Sequence, residues 1–94
     1  MRDFSGKAAL ITGGASGVGR SLAFALGRKG ARIVVGDVDK NAMEQVAADL
    51  AAQGIDAIVE HCDVTSMDSL NALADAAEKA FGSLDLVFAN AGIG

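Results

Sequence analysis

The 94-residue sequence predicts an α/β fold, the first half only of a doubly wound parallel sheet, in the order β-α-β-α-β-α-β. Three observations predict it. Short apolar runs rich in β-branched residues alternate with longer stretches of helical periodicity. Glycine closes each helical stretch, and the connections between elements are short. Alternation of this kind implies parallel strands, right-handed crossovers and helices on both faces of the sheet.

The first strand is expected at Ala8-Ala9-Leu10-Ile11-Thr12, an apolar run that ends in glycine. Gly13 to Gly19 is a glycine-rich turn. A helix follows to Lys29, with Val18, Leu22, Ala25 and Leu26 expected on its apolar face and Gly30 as its stop. Arg32-Ile33-Val34-Val35-Gly36-Asp37 is a second strand closed by an acid. Asp39 is placed to cap a helix through about Gln53, with Met43, Val46, Ala47 and Leu50 inward and Gly54 as its stop. A third strand is expected from Asp56 to Asp63. Ser66 can cap a third helix, whose stripe is Met67, Leu70, Leu73, Ala74, Ala77 and Phe81, with Gly82 ending it. Leu84 to Asn90 is the fourth strand. A full dinucleotide-binding domain has six strands in the order 3-2-1-4-5-6, so residues 1–94 are expected to be the N-terminal portion of one domain that continues further.

Composition narrows the function classes. With 51% hydrophobic and 21% charged residues the chain is globular. A net charge of −4 argues against a nucleic-acid partner, which favours a basic face. The single Cys62 forms no internal disulfide and fits a reducing compartment. No stretch has the length of a signal peptide or a membrane span, so a cytoplasmic protein is expected. His61 and Cys62 are neighbours on a strand whose side chains alternate faces, which is poor geometry for a shared metal. Cys62 is expected as a packed residue, and His61 as an exposed or edge one. Asp75, Glu78 and Lys79 are expected on the wet face of the third helix, and Met43 and Met67 as gap fillers in the core.

The turn carries the chemistry. Thr12-Gly13-Gly14-Ala15-Ser16-Gly17-Val18-Gly19 follows a strand and opens a helix, the context a phosphate-binding turn needs. Glycine permits the tight turn and a close backbone approach, while unpaired N–H groups and the positive dipole end of the helix face the anion. The spacing does not match G-x-G-x-x-G. Gly14 to Ser21 also approaches a P-loop with Arg20 in place of lysine, and Val34-Val35-Gly36-Asp37 would then hold Mg²⁺, giving a nucleotide triphosphatase. Arginine's planar fork substitutes poorly for the compact ammonium of a P-loop. Taken alone, the turn fits both readings. Asp37 stands 18 residues beyond Gly19 at the end of the second strand, close to the spacing of an acid that binds ribose hydroxyls.

With Thr12-Gly13-x-x-x-Gly17-x-Gly19, Asp37, Cys62-Asp63-Val64 and Asn90-Ala91-Gly92 in register, the whole chain resembles the short-chain dehydrogenase/reductase family. The P-loop reading explains neither Asp63-Val64 nor Asn90-Ala91-Gly92. The resemblance implies a Rossmann-type nucleotide-binding fold and an oxidoreductase that moves a hydride between a nicotinamide and a carbonyl or alcohol. It implies that Gly13, Gly17 and Gly19, with the backbone at Ser16 and Val18, border a pyrophosphate. Asp37 would accept from the adenosine ribose beside Val38, and Asp63 and Val64 would meet the adenine. Asn90 would tie the central strands together, and Ala91 and Gly92 would pass close to the cofactor. NAD is expected over NADP, because Asp37 would face a 2′-phosphate while Val38 and Ser16 offer no cation. The family's serine, tyrosine and lysine are expected beyond position 94, since the chain has no tyrosine, and no catalytic residue or metal ligand is assigned within it. A small-molecule alcohol or carbonyl substrate and a homo-oligomer are implied for the parent. A non-catalytic nucleotide-binding module is the alternative on the same fold.

Overall fold

The computed structural model describes residues 4–13, 17–61, 67–82 and 84–89. The elements are β1 (Ala8–Thr12), α1 (Gly17–Arg28), β2 (Arg32–Asp37), α2 (Lys40–Ala52), β3 (Ala57–His61), α3 (Met67–Phe81) and β4 (Leu86–Ala89). All strand pairings are parallel, and the order across the sheet is β3-β2-β1-β4. β1 is therefore flanked on both sides, Leu10 standing opposite Val34 and Val87. All five of its residues are buried, as expected of a strand covered on both faces.

Alternation along the strands divides the core in two. Ala9, Ile11, Ile33 and Val35 pack with Ala23, Phe24 and Leu26 of α1 and Met43, Val46 and Leu50 of α2. Leu10 and Val34 face the other way, onto Leu73 and Ala77 of α3. The result is a helix–sheet–helix sandwich. Fully burying a Val, Leu or Ile side chain contributes roughly 1.5–3 kcal/mol, so these two layers dominate the stability. Gly30, Gly54 and Gly82 follow the three helices with φ of 97°, 73° and 80°.

The second helix follows its sequence pattern closely. Asp39 is extended at φ −89° and ψ 101°, and the Ala42 N–H donates to its Oδ1 at 3.0 Å. Met43, Val46 and Leu50 are buried. On α3 Leu73 and Ala77 face the sheet, while Asp75, Glu78 and Lys79 are exposed. His61 is exposed at the end of edge strand β3. Cys62 and Ser66 lie outside the described residues, as do the side chains of Met67 and Leu70.

Two expectations are corrected. On α1 the inward stripe is Gly19, Ala23 and Leu26, with Phe24 beside it, whereas Ala25 is exposed and Val18 is 73% exposed. Gly19, being buried, belongs to the inward face. Of the expected face, Leu26 is buried and Leu22 packs against the same core, so the correction falls on Val18 and Ala25. Strand β4 starts at Leu86 rather than Leu84 because the preceding Asp85 uses both its backbone and its side chain on β1. Its N–H donates to the Ala8 carbonyl at 2.9 Å, and its Oδ2 accepts from the Ala8 N–H at 2.9 Å. The carboxylate thus takes the place of a strand carbonyl at the foot of the ladder.

A polar seam joins α1 to α2. Arg20 Nη2 donates to Asp49 Oδ2 at 2.6 Å, Gln45 Nε2 donates to Asp49 Oδ1 at 3.0 Å, and Arg28 Nε donates to Gln53 Oε1 at 3.0 Å. The guanidinium carbons of Arg20 and Arg28 lie 4.8 Å and 5.4 Å from the centroid of the Phe24 ring, within cation–π range. The hydrogen bond from Arg20, and then that from Gln45, hold the Asp49 carboxyl below its ordinary value of 3.8.

Two measurements check this packing. Leu26→Ala should cost about 2–5 kcal/mol in chemical denaturation, as for other buried leucines, while Val18→Ala should stay within about 0.5 kcal/mol. Equal costs would restore the Val18 face. The lowered pKa of Asp49 sets a pH window. Its stabilising effect is complete above the unfolded value of 3.8 and is lost as pH falls through the lower folded value. The difference in denaturation midpoint between wild type and Asp49→Asn should therefore be constant from about pH 7 to pH 5 and shrink only below the ordinary carboxylate range. A difference that vanishes well above that range would contradict the ion pair.

Candidate functional site

Parallel strands bring their C-terminal ends, and the starts of the helices that follow, to one edge of the sheet. At that edge Thr12 closes β1. Its side chain is buried, its Oγ1 lies 3.5 Å from the Phe88 carbonyl of β4, and the next residue, Gly13, donates its N–H to Gly36 O of β2 at 2.7 Å. The chain leaves the central strand held from both neighbours. Gly13 has φ 67° and Gly17, the first residue of α1, has φ 59°, conformations that residues with a Cβ adopt at a cost.

The start of α1 has the character of an anion site. The first turn of a helix leaves N–H groups without intrahelical partners and carries the positive end of the dipole. No acidic residue occupies this first turn, although acids are favoured there. Among the described residues a Cβ added at Gly17 would meet nothing within 4 Å, and Val18 is exposed. Gly19 is buried beneath it.

Asp37 closes the neighbouring strand β2, opposite His61 of β3, and is half-buried. Its Oδ1 accepts the N–H groups of Val38 at 2.7 Å and Asp39 at 3.1 Å, which orient the carboxylate at the strand end. Asp39, not Asp37, caps α2. Val38 is 59% exposed beside it. The structure thus brings Gly13 and the start of α1 (Gly17, Val18 and Gly19) to the same edge as Asp37 and Val38 at the end of β2. Such an edge suits a ligand with an anionic centre and a vicinal diol, one met by helix amides and the other by a carboxylate. Ser16, Asp63, Val64, Asn90, Ala91 and Gly92 lie outside the described residues.

Arg20 decides against the P-loop geometry. The cation which that reading needs at the phosphates is drawn instead to Asp49 on α2 and stacked over Phe24. Sequence reasoning missed this partner, although the four-residue spacing of Arg20, Phe24 and Arg28 puts them on one helix face, as does that of Gln45, Asp49 and Gln53. Among the described residues no group of three or more His, Cys, Asp or Glu side chains comes together, and no helix is long and apolar enough to cross a membrane.

Comparison with known proteins bears on the whole arrangement. The chain is 46% identical over 90 residues to cis-4-hydroxycyclohexanecarboxylate dehydrogenase of Sinomonas cyclohexanicum, covering 96% of this chain and 36% of that protein. A hydroxysteroid dehydrogenase from Escherichia coli superposes with a TM-score of 0.92 at 37% identity, over 96% of this chain and 38% of its own. A short chain dehydrogenase/reductase from Burkholderia phymatum, solved in complex with NAD, superposes with a TM-score of 0.88 at 40% identity, over 93% of this chain and 31% of its own. The chain spans about a third of the length of the curated relatives it matches. Residues 7–94 match the short chain dehydrogenase family model, and the chain belongs to that family.

Proposed function

We propose that residues 1–94 are the N-terminal, NAD-binding portion of a single Rossmann-type domain, in an oxidoreductase acting on a small alcohol or carbonyl compound. The observation that carries this reading is the acid-free start of α1 beside a backbone-oriented Asp37 at the next strand end. The family membership and the NAD-bound Burkholderia neighbour support it.

In this reading the α1 amides from Gly17 onward receive the pyrophosphate, with Gly13, Ser16, Val18 and Gly19 bordering it. Asp37 accepts from the adenosine ribose, and Val38 lines the adenosine side. Asp63 and Val64 complete the adenine pocket. Ala91 and Gly92 pass close to the cofactor, and Asn90 ties the central strands together. When bound, the nicotinamide ring supplies the hydride chemistry. The residues of this chain bind and orient; the proton transfer that accompanies hydride transfer needs an acid, and no residue here is assigned to it.

The reading fixes a cofactor preference. Two like charges about 4 Å apart repel by roughly 4 kcal/mol at an effective dielectric near 20. Even a quarter of that between Asp37 and a 2′-phosphate gives about a five-fold preference for NAD. Titration calorimetry on the full-length protein should show NADP binding at least about five-fold weaker than NAD, with Asp37→Ser narrowing the gap. Equal or tighter NADP binding by wild type would overturn the assignment.

A further inference from the structure

Arg20 stands where a helix tolerates a cation least. It is the fourth residue of α1, at the positive end of the dipole, in a first turn that holds no acid of its own. Its charge is answered from another helix. Asp49 takes Nη2 at 2.6 Å, its carboxylate is steadied by the Gln45 amide, and Phe24 lies under the guanidinium. Phe24 is only 7% exposed, so the stack has a rigid floor. The acid that compensates Arg20 therefore lies off the turn, and the amides of the turn keep no carboxylate competitor on their own helix.

The same contact joins the two halves of the candidate site. Asp49 belongs to α2, the helix that Asp39 caps directly after Asp37. A rotation of the first turn of α1 would pull Arg20 from Asp49, and a shift of α2 would carry the Asp37 loop with it. The pair consequently holds the first turn of α1 against α2, adding to the Gly13–Gly36 hydrogen bond that already links the two strand ends. Recognition of a ligand held at both points is sensitive to displacements on the order of 1 Å.

We propose that the Arg20–Asp49 pair is a positioning device for the dinucleotide, holding the α1 turn at the spacing from Asp37 that the cofactor requires. This rests on the reading of the α1 turn as the pyrophosphate site. Neither residue touches the ligand; both act through the helices that carry them.

The test measures NAD dissociation constants and NAD-dependent turnover of the full-length protein as wild type, Asp49→Asn and Asp49→Glu. Both variants leave Arg20 and the turn intact. Asp49→Asn should weaken NAD about five-fold, a coupling of the size carried between packed elements, with KM for NAD rising in step and kcat at saturating NAD unchanged. Asp49→Glu, which restores the charge pair, should recover most of the affinity. An unchanged dissociation constant in folded Asp49→Asn, whatever its melting temperature, would show a merely structural pair and overturn the proposal. Tighter binding, from a released Arg20 reaching the phosphates, would overturn it equally. A wild type that fails to bind NAD would instead remove the underlying cofactor reading, and this proposal with it.

Discussion

Everything at the site depends on one strand being in the middle. β1 pairs with β2 on one side and β4 on the other, all parallel, so three crossovers must return to the same edge of the sheet. That arrangement puts the C-terminal end of β1 among its neighbours' ends, and the Gly13 N–H bonded to Gly36 fixes where the chain departs. The burial of β1 on both faces makes the departure point rigid, because any tilt would open both core layers. A turn built on a mobile strand could present the same glycines without a defined direction.

Charge then separates what packing brings together. Three aspartates do different work. Asp39 is consumed as the cap of α2, Asp37 is oriented by backbone N–H groups at the sheet edge, and Asp49 is matched to Arg20 across the helix seam. At only about a third exposed, the Arg20–Asp49 pair is too solvated to rival core burial as a source of stability. Its value lies in position, since it bonds the first turn of one helix to the body of the next.

Much of this was legible in the sequence. Glycine after an apolar helical stretch marked all three helix ends, and Asp39 followed by inward-facing Met43, Val46 and Leu50 marked the second helix almost to the residue. The family resemblance agreed with the family match. What was misread had physical causes. Gly19 is buried on the inward face of α1, and a face drawn through side chains alone starts at Val18, which is exposed. Asp85 sits in an apolar run that looks like strand, but its carboxylate substitutes for a backbone acceptor and delays β4 to Leu86. Arg20 reads from sequence as a candidate phosphate ligand because its partner lies 29 positions away, and periodicity reports faces rather than partners.

In the proposed reading the start of α1 holds a pyrophosphate through its backbone, and a charge placed at Gly17 distinguishes that from any other phosphate position. The left-handed φ there is one that Asn and Asp tolerate better than other side chains, and a Cβ has room. Gly17→Asp and Gly17→Asn are nearly the same shape and differ in one negative charge, which a helix start itself favours. Measured side by side on the full-length protein, Gly17→Asp should bind NAD at least about ten-fold more weakly than Gly17→Asn, with both folded by circular dichroism. Equal NAD affinities in the two variants would place the pyrophosphate elsewhere.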